Sequence, residues 1–384
     1  MPLPSPDSPY ASPTSNPKGR AHVTMIGHFP PPVGGAALLN AGVCDSLVAA
    51  GVDLTRIDVS GSTLTHNRSL GHHARRVVRN LLGLRRARAA ASPGAALYIV
   101  PDAGLGAWYT RAHMAGAARR YGAVMIHHHS CRYTEDYNRA IAAVATIARD
   151  RATHVFETDG QGAAFRHRYG DVPSLVATNA YLVADEAARP PSARPDGPIR
   201  LGHLSNLCAD KGFFAVADAF DALRAAGMDV NLTFAGPILE PAVAERISSL
   251  LAEHGALVRH LGPLAGEPKF AFYRDIDVFL FPTAFRQEGA PVVIYEALAA
   301  GCPVLATDRG QITEVIPQTG GAVCPRDADF GSFALEYLHA QPWDAEARNQ
   351  RAAAIKEWSR AEATRSVAQH QAIVTRLASP LVSK

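Results

Sequence analysis

The sequence predicts an α/β protein built from two doubly wound parallel-sheet lobes in tandem, with a cleft between them. Three observations lead to this prediction. Short apolar segments alternate with helical stretches, the alternation is interrupted by a proline-rich segment, and 384 residues are too many for one ordinary core. Strands separated by helices form right-handed units, so repeated alternation builds parallel sheets covered by helices.

The first lobe is predicted to cover residues 21–186. A tail at residues 1–20, rich in Pro and Ser, precedes it and is expected to be disordered. The first strand ends in a turn rich in Pro and Gly, and an Ala- and Leu-rich helix follows up to Gly51. Strands are expected at residues 22–29, 52–59, 96–100, 123–128 and 153–158, and further helices at residues 72–90, 107–120 and 135–151.

A linker at residues 187–198 separates the lobes, because its four prolines and one glycine do not fit a helix or a central strand. The alternation restarts in a second lobe at residues 199–342, and helices at residues 343–384 are expected to cross back towards the first lobe. Strands are expected at residues 199–204, 230–235, 257–261, 278–281 and 303–307, and helices at residues 211–226, 240–254, 267–274 and 291–300. Two such Rossmann-like lobes would bind a ligand where the carboxyl ends of their strands face each other.

Composition narrows the functional classes. A net charge of +3 gives no strong global field, so nucleic-acid binding by the whole chain is not expected. Five cysteines without a C-x-x-C pair argue against a disulfide framework and favour a reducing compartment. Neither a signal peptide nor a membrane-spanning helix is expected, because no long apolar run occurs. The protein is therefore expected in the cytoplasm, with a peripheral position at the inner face of the membrane as the alternative.

The most informative segment follows the strand predicted at residues 278–281. Pro291 suits the first position of a helix, whose free N–H groups bind phosphate or a sugar hydroxyl. Glu288 precedes this helix and Glu296 lies inside it, roughly 8–10 Å away at a rise of about 1.5 Å per residue. Carboxylates accept hydrogen bonds from vicinal hydroxyls. The pair therefore predicts a site for a sugar, a diphosphate and a ribose, and two incidental glutamates on a solvated helix are the alternative. The helix mouth would consist of Gly289, Ala290, Pro291 and Val292.

This segment resembles the retaining glycosyltransferases of family four, the glycosyl transferases group 1, which have the GT-B fold. The matching residues are 288–291, 296–304 and 320–321. The resemblance implies that Glu288 contacts the transferred sugar and that Glu296 contacts the nucleotide ribose. It also implies a metal-independent hexosyltransferase of polysaccharide or glycolipid biosynthesis, with a UDP- or GDP-sugar as co-substrate and no cofactor. The acceptor would be a hydroxyl of a glycan or a lipid-linked saccharide.

Positive charge for the diphosphate is expected from Lys211, which lies at a predicted helix start after the first strand of the second lobe. A solvated helix cap is the alternative. The resembled family commonly has an arginine where this chain has His203, or Asn206 in another alignment of the loop. These two residues are therefore the donor-binding candidates at this position, although a neutral imidazole binds diphosphate less strongly than a guanidinium does. Arg286 could compensate for the missing arginine. The loop that ends in Leu264 resembles the family's base-binding loop, with an ordinary turn as the alternative.

In the first lobe, Gly34 and Gly35 follow the first strand and resemble a Gly-Gly loop that approaches the donor diphosphate or the acceptor. A plain tight turn is the alternative. Three histidines end a strand at the ligand-binding edge, with His127 and His129 on one face and His128 on the other. The resemblance assigns His129 to the transferred sugar, and His127 and His128 are candidates for the acceptor side. Satisfied strand-end histidines are the alternative.

The catalytic residues expected are therefore His129, Lys211 and Glu288. Two other functions stay open at this point. The missing arginine suggests a nucleotide-sugar-binding protein without catalysis, and the fold would also suit a GT-B phosphorylase or epimerase.

Two further segments bear on partners. The arginine-rich helix at residues 72–90 carries an apolar stripe that could lie on an anionic membrane and bring a lipid-linked acceptor to the cleft. A solvated basic helix is an equal alternative. Asp275 and Asp277 look like a D-x-D metal motif, but their place just before a buried strand favours a turn or cap, and no metal site is expected.

Overall fold

The computed structural model of this protein describes residues 21–31, 34–60, 70–149 and 151–379, and the tail expected to be disordered at residues 1–20 lies outside them. The described chain forms two six-stranded parallel sheets flanked by helices. The first sheet contains β1 His22–Gly27, β2 Asp53–Asp58, β3 Ala95–Ile99, β4 Ala123–His128, β5 Ala152–Phe156 and β6 Ser174–Val176. The helices of this lobe are α1 Gly35–Ala49, α2 Leu70–Ala90, α3 Ala107–Ala117, α4 Arg132–Glu135, α5 Arg139–Ala148, α6 Asp159–Tyr169 and α7 Ala184–Ala188.

The second sheet follows the proline-rich linker. It contains β7 Ile199–Leu204, β8 Val230–Ala235, β9 Val258–His260, β10 Val278–Phe281, β11 Val304–Thr307 and β12 Gly321–Cys324. The helices are α8 Phe213–Ala225, α9 Pro241–His254, α10 Glu267–Asp275, α11 Val292–Ala299, α12 Ile312–Val315, α13 Phe330–His339 and α14 Ala345–Ala378.

The strand order places a ligand crevice in each lobe. The first sheet has the order β2-β1-β3-β4-β5-β6, and the second has the order β9-β8-β7-β10-β11-β12. Each order reverses once, between β1 and β3 in the first lobe and between β7 and β10 in the second. The loops that follow two such strands leave the sheet in opposite directions and open a crevice at its carboxyl edge. The topology therefore directs attention to the loops after these four strands.

Burial on both faces explains the apolar character of the strands. β3 and β5 are buried along their whole length, and all four residues of β10 are buried as well. Separate hydrophobic clusters lie on the two faces of each sheet. Parallel strands covered by helices on both sides must be apolar on both sides.

α14 connects the lobes. Its residues Ile355 and Ala363 belong to a hydrophobic cluster of the second lobe, whereas Ile373 and Leu377 belong to a cluster of the first. The helix thus crosses from one lobe to the other, and His370 Nε2 lies 2.8 Å from the hydroxyl of Ser46 on α1. Within the described ranges, no helix combines the length and the apolar composition that crossing a bilayer requires.

Most of the predicted strands and helices are confirmed, with small shifts at their ends. The helix predicted at residues 135–151 is two helices, α4 and α5, because the Asn138 side chain accepts hydrogen bonds from the N–H groups of Ala140 and Ile141 and caps α5. The sequence analysis did not predict β6, β12, α6, α7, α12 or α13. Pro291 is the N-cap residue of α11 rather than its first helical residue.

Candidate functional site

The carboxyl edges of the two sheets border a common cleft of about 240 Å³. Its first-lobe wall comes from the loops after β1, β3, β4 and β5, and its second-lobe wall from the loops after β7 and β10. The strand order favours these loops as ligand sites. The cleft brings together residues that the sequence analysis had selected from four separate segments, namely Gly35, His129, Lys211 and residues 288–292.

Lys211 and Glu288 form an ion pair in the second-lobe wall. Lys211 Nζ lies 2.7 Å from Glu288 Oε2, and the hydroxyl of Thr283 donates to the same oxygen at 2.9 Å. Lys211 Nζ also lies 4.3 Å from the centroid of the Phe285 ring, within the range of a cation–π interaction. The two segments meet because β7 and β10 are neighbours. Sequence reasoning selected both charged residues but missed Thr283 and Phe285, which carry no signal of their own in the sequence.

Gly212 allows the two loops to approach each other. Its φ of 82° lies in the left-handed region. A Cβ at this position would collide with the backbone oxygen of Pro282, which follows β10. Glycine satisfies both requirements. The Lys-Gly pair at 211–212 is therefore part of the contact between the β7 and β10 loops as well as a helix start.

The mouth of α11 opens on the cleft. The N–H group of Ala290 donates to Glu157 Oε2 of the first lobe at 2.9 Å. A Cβ at Gly289 would collide with the same carboxylate oxygen, although the φ of Gly289 is not positive. Glycine is thus required at 289 by the approach of Glu157 and not by the backbone conformation.

Glu157 is a buried carboxylate of the cleft lining that sequence reasoning missed. It follows β5, its side chain is 2% exposed, and its Oε1 lies 3.0 Å from His129 Nδ1. His128 of β4 pairs with Phe156 of β5 in the sheet, so the residues after them, His129 and Glu157, emerge side by side. A search for carboxylates at the carboxyl ends of the predicted strands of the first lobe would have found it.

The other two histidines of the run lie away from the cleft wall. The assignment of His128 to the acceptor side is wrong, because its ring is fully buried between Tyr133 Oη at 2.9 Å and His154 Nδ1 at 2.8 Å. Burial holds the pKa of His128 well below its usual range. His127 is also buried, with Nδ1 2.6 Å from Tyr98 Oη, and its ring contacts that of His129 at 4.1 Å. The prediction that His127 and His129 share one face of the strand and His128 the other is confirmed. His127 does not line the cleft, and its ring contacts that of His129, which does.

His203 is not a phosphate ligand in this structure, which corrects the prediction from the sequence. Its side chain is fully buried in β7, where Nδ1 lies 2.8 Å from the backbone oxygen of Leu280 and Nε2 lies 2.8 Å from the hydroxyl of Ser205. Burial lowers the pKa of His203 to about 4, so the ring is neutral. Asn206 is half-buried in the loop after β7 and lies outside the set of residues that line the cleft.

Glu296 lies further along α11, inside the second lobe. Its carboxylate accepts hydrogen bonds from Lys269 Nζ and, at 3.1 Å, from Tyr273 Oη. Its side chain is buried and does not line the cleft. Leu264 lies in the loop after β9, where it packs against the same hydrophobic cluster as Tyr273. The contacts of Glu296 with a ribose and of Leu264 with a base stay predictions.

Arg286 and Gly34 occupy the edges of the site. The Arg286 guanidinium lies 2.8 Å from Asp136 of the first lobe, is largely exposed and does not line the cleft, so its compensation for the missing arginine stays a prediction. Gly34 is the N-cap residue of α1 with extended backbone, and no described atom lies within 4 Å of a Cβ added at Gly34 or Gly35. Among the described residues, the space beside the first turn of α1 is therefore open, and no neighbour requires glycine at either position.

Both aspartates of the Asp-x-Asp segment form ion pairs with arginines. Asp277 is buried and lies 2.9 Å from Arg200 and 3.0 Å from Arg348, whereas Asp275 pairs with Arg200 and Arg259. Asp277 thus joins the start of β10 to the start of α14 through Arg348 and to the linker through Arg194. The interpretation of Asp277 as a residue that holds a turn agrees with these contacts.

A second charged cluster in the first-lobe wall was not anticipated. Asp102, after β3, lies 2.6 Å from His28 Nε2 and 2.7 Å from Arg76 Nη2. Burial opposes the charge of His28, but the hydrogen bond and the negative charge of Asp102 outweigh it and raise the pKa of His28. Burial likewise opposes ionisation of Asp102, and the contacts with His28 and Arg76 lower its pKa. Because His28 follows β1 and Asp102 follows β3, their ion pair lies at the switch point of the first sheet.

Comparisons with known proteins agree with this geometry. Residues 198–339 match the family model described as Glycosyl transferases group 1, which covers the second lobe. No curated protein sequence matches the chain.

Similar solved structures share the two-lobe arrangement at low sequence identity. HepE of Anabaena, in complex with UDP-glucose, has a TM-score of 0.63 and 16% identity over 93% of this chain and 99% of that chain. Sucrose-phosphate synthase of Thermosynechococcus elongatus has a TM-score of 0.65 and 15% identity, over 93% and 100%. The UDP-forming α,α-trehalose-phosphate synthase of Burkholderia vietnamiensis has a TM-score of 0.64 and 13% identity, over 93% and 99%. The predicted GT-B fold is confirmed.

Proposed function

We propose that this protein transfers a hexosyl group from a nucleotide diphosphate sugar to an acceptor hydroxyl, with retention of the anomeric configuration. One observation carries the proposal: Lys211 and Glu288 lie together beside the mouth of α11, in a cleft whose other wall contains His129. A cation, a helix mouth and a carboxylate are what a diphosphate and the hydroxyls of its sugar would need. The match of the second lobe to Glycosyl transferases group 1 supports the same reaction.

The proposed reaction is a same-face substitution. The bond between the anomeric carbon and the phosphate oxygen breaks, and the acceptor oxygen bonds to that carbon on the face from which the diphosphate leaves. The acceptor proton passes to the departing phosphate oxygen. Lys211 and the main-chain N–H groups at the α11 mouth would hold the growing negative charge, which is the role that a metal ion has in other transferases. The proposal is therefore metal-independent transfer.

Uridine diphosphate sugars are the first donors to test. HepE was crystallised with UDP-glucose, and the trehalose-phosphate synthase is described as UDP-forming. GDP-sugars are the alternative donors, because the residues of this chain that would select the nucleobase are known only as predictions.

A donor screen tests the proposal. We expect one class among UDP-, GDP- and ADP-sugars to raise the melting temperature, and the same donor to release its nucleoside diphosphate when a saccharide acceptor is added. The product, analysed by NMR, should keep the anomeric configuration of the donor. Binding without turnover on any acceptor would favour a non-catalytic sugar-nucleotide-binding protein. Turnover that depends on inorganic phosphate would favour a phosphorylase, and no binding at all would contradict the proposal.

A surface beside the cleft supports a lipid-linked acceptor. α2 carries six arginines and no acidic residue over 21 residues. Its outward side presents Val77, Val78, Leu81 and Leu82, which are between 42% and 59% exposed. An apolar stripe flanked by arginines complements the negative surface and apolar interior of an anionic bilayer.

This surface adjoins the first-lobe wall of the cleft. Arg76 of α2 donates a hydrogen bond to Asp102, which lines the cleft. The guanidinium of Arg76 also lies 5.2 Å from the centroid of the Tyr109 ring on α3. Leu105 and Trp108, at the start of α3, are exposed as well. We propose that this face docks on anionic lipid and presents a membrane-anchored acceptor to the cleft.

Vesicle sedimentation tests the docking surface. The protein should sediment with phosphatidylcholine vesicles that contain phosphatidylglycerol, and much less with phosphatidylcholine alone. Replacing Leu81 and Leu82 together by Ser should abolish the binding, whereas Val48→Ser, which removes an exposed apolar side chain from α1, should not. Equal sedimentation of all variants, or self-association through this face in light scattering, would contradict the proposal.

A further inference from the structure

Glu157 makes a set of contacts that have no role in the reaction proposed above. Its side chain belongs to the first lobe and is almost completely buried. Oε2 accepts a hydrogen bond from the Ala290 N–H group of the second lobe, and Oε1 accepts one from Asn179 Nδ2 at 2.9 Å. The third partner is His129, 3.0 Å away. One carboxylate thus joins the histidine of one cleft wall to the helix mouth of the other.

The contacts of Glu157 decide which nitrogen of His129 carries a proton. Main-chain and amide N–H groups only donate, so the Glu157 carboxylate accepts from Ala290 and Asn179. As an acceptor it requires the proton of His129 to lie on Nδ1. When the ring is neutral, Nε2 is then the nitrogen without a proton. This atom is buried and has no partner among the described residues, while the ring lines the cleft. A buried polar atom without a partner calls for an explanation, and a substrate hydroxyl would supply one.

The same contacts require the two lobes to be close together. Asn179 Nδ2 bonds Glu157 and also the backbone oxygen of Ala290 at 2.8 Å, so these three residues form a small network across the lobes. Gly289 supports it, since a Cβ there would collide with Glu157 Oε2. Loss of the Ala290 contact would leave a buried carboxylate with one partner fewer.

We propose that Glu157 is a positioning residue that sets His129 for the donor sugar and does so through a network that forms only when the lobes are closed. The proposal rests on the proposed function. In this proposal Glu157 orients His129 and holds the α11 mouth, and it does not contact the reacting atoms. Sugar transfer would then depend on lobe closure through a defined carboxylate.

The variant Glu157→Gln tests the proposal, because the amide keeps the size of the side chain but places an N–H group against His129 or Ala290. We expect kcat to fall by about 10- to 100-fold, the range found for residues that orient a functional histidine, while the affinity for the donor changes far less. Glu314→Gln is the matched control. Glu314 also bonds a main-chain N–H group of the opposite lobe, that of Gly160 at 2.9 Å, but it does not touch His129. We expect this control to keep kcat within about twofold.

A spectroscopic measurement separates this proposal from the proposed function. In ¹⁵N-histidine NMR of the protein without substrate, wild-type His129 should be protonated at Nδ1, and Glu157→Gln should change that state. Wild-type His129 protonated at Nε2 would overturn the proposal whether or not the protein transfers sugar. Equal losses of kcat in both variants, with the tautomer unchanged, would overturn it too, since Glu157 would then act through closure alone. Failure of every nucleotide sugar to react would refute the proposed function and leave the tautomer measurement valid.

Discussion

At the scale of single residues, burial divides the histidines of this protein into two groups. Burial lowers the pKa of His113, His154, His203 and His370 to about 4. The pKa values of His127 and His128 also lie well below their usual range, for the same reason. His28 behaves in the opposite way, because the contact with Asp102 outweighs its burial. The histidines with lowered pKa are therefore neutral parts of the folded core.

These buried histidines predict a loss of stability in mild acid. Between their ordinary pKa of 6.5 and the folded value of about 4, the unfolded chain binds protons that the folded chain does not bind. Stability should therefore fall as the pH drops from 6.5 towards 5, before most carboxylates titrate. His28 has the opposite sign, since its stabilisation is complete below 6.5 and is lost as the pH rises through its raised pKa.

Melting temperatures measured between pH 7.5 and 5 test this prediction. His370→Gln, which removes one buried imidazole that does not line the cleft, should reduce the slope of melting temperature against pH. His339→Gln changes an exposed histidine and should leave the slope unchanged. A melting temperature that stays constant down to pH 5 would show that burial of these rings costs the folded state nothing.

At the scale of elements, the sequence was sufficient for the order of most strands and helices but not for their neighbours in space. Alternating apolar and helical segments follow from local patterning, and so does the strand, loop and helix at 278–299. The adjacency of β7 and β10, which brings Lys211 to Glu288, depends on the sheet order, which local patterning does not contain. The same reason explains Glu157, whose importance comes from the register of β4 and β5 and from a helix of the other lobe.

His203 shows a second limit of sequence reasoning. An imidazole at the end of a strand suggests a ligand contact when only the strand is known. Its ring nitrogens are instead satisfied by the backbone oxygen of Leu280 on β10 and by the hydroxyl of Ser205. Whether a strand-end histidine serves a site or the interior depends on these tertiary partners.

At the scale of the whole molecule, the lobes are held together around the cleft. Thr158 and Gln311 share a hydrogen bond of 2.9 Å, Arg286 pairs with Asp136, and α14 packs into the hydrophobic clusters of both lobes. The two switch points lie on opposite walls of the same cleft. The candidate site is therefore a property of both lobes, although the match to the family model lies in the second.

Calorimetric titration tests the central claim most directly, using the nucleoside diphosphate that the donor screen selects. Lys211→Ala should weaken its affinity by about 10- to 100-fold, the equivalent of losing one hydrogen bond to a charged group. Arg286→Ala is the control, because it removes a cation that faces Asp136, and its affinity should stay within about twofold of wild type. Equal affinities of wild type and Lys211→Ala would contradict the account, since the diphosphate would then bind somewhere other than the cleft.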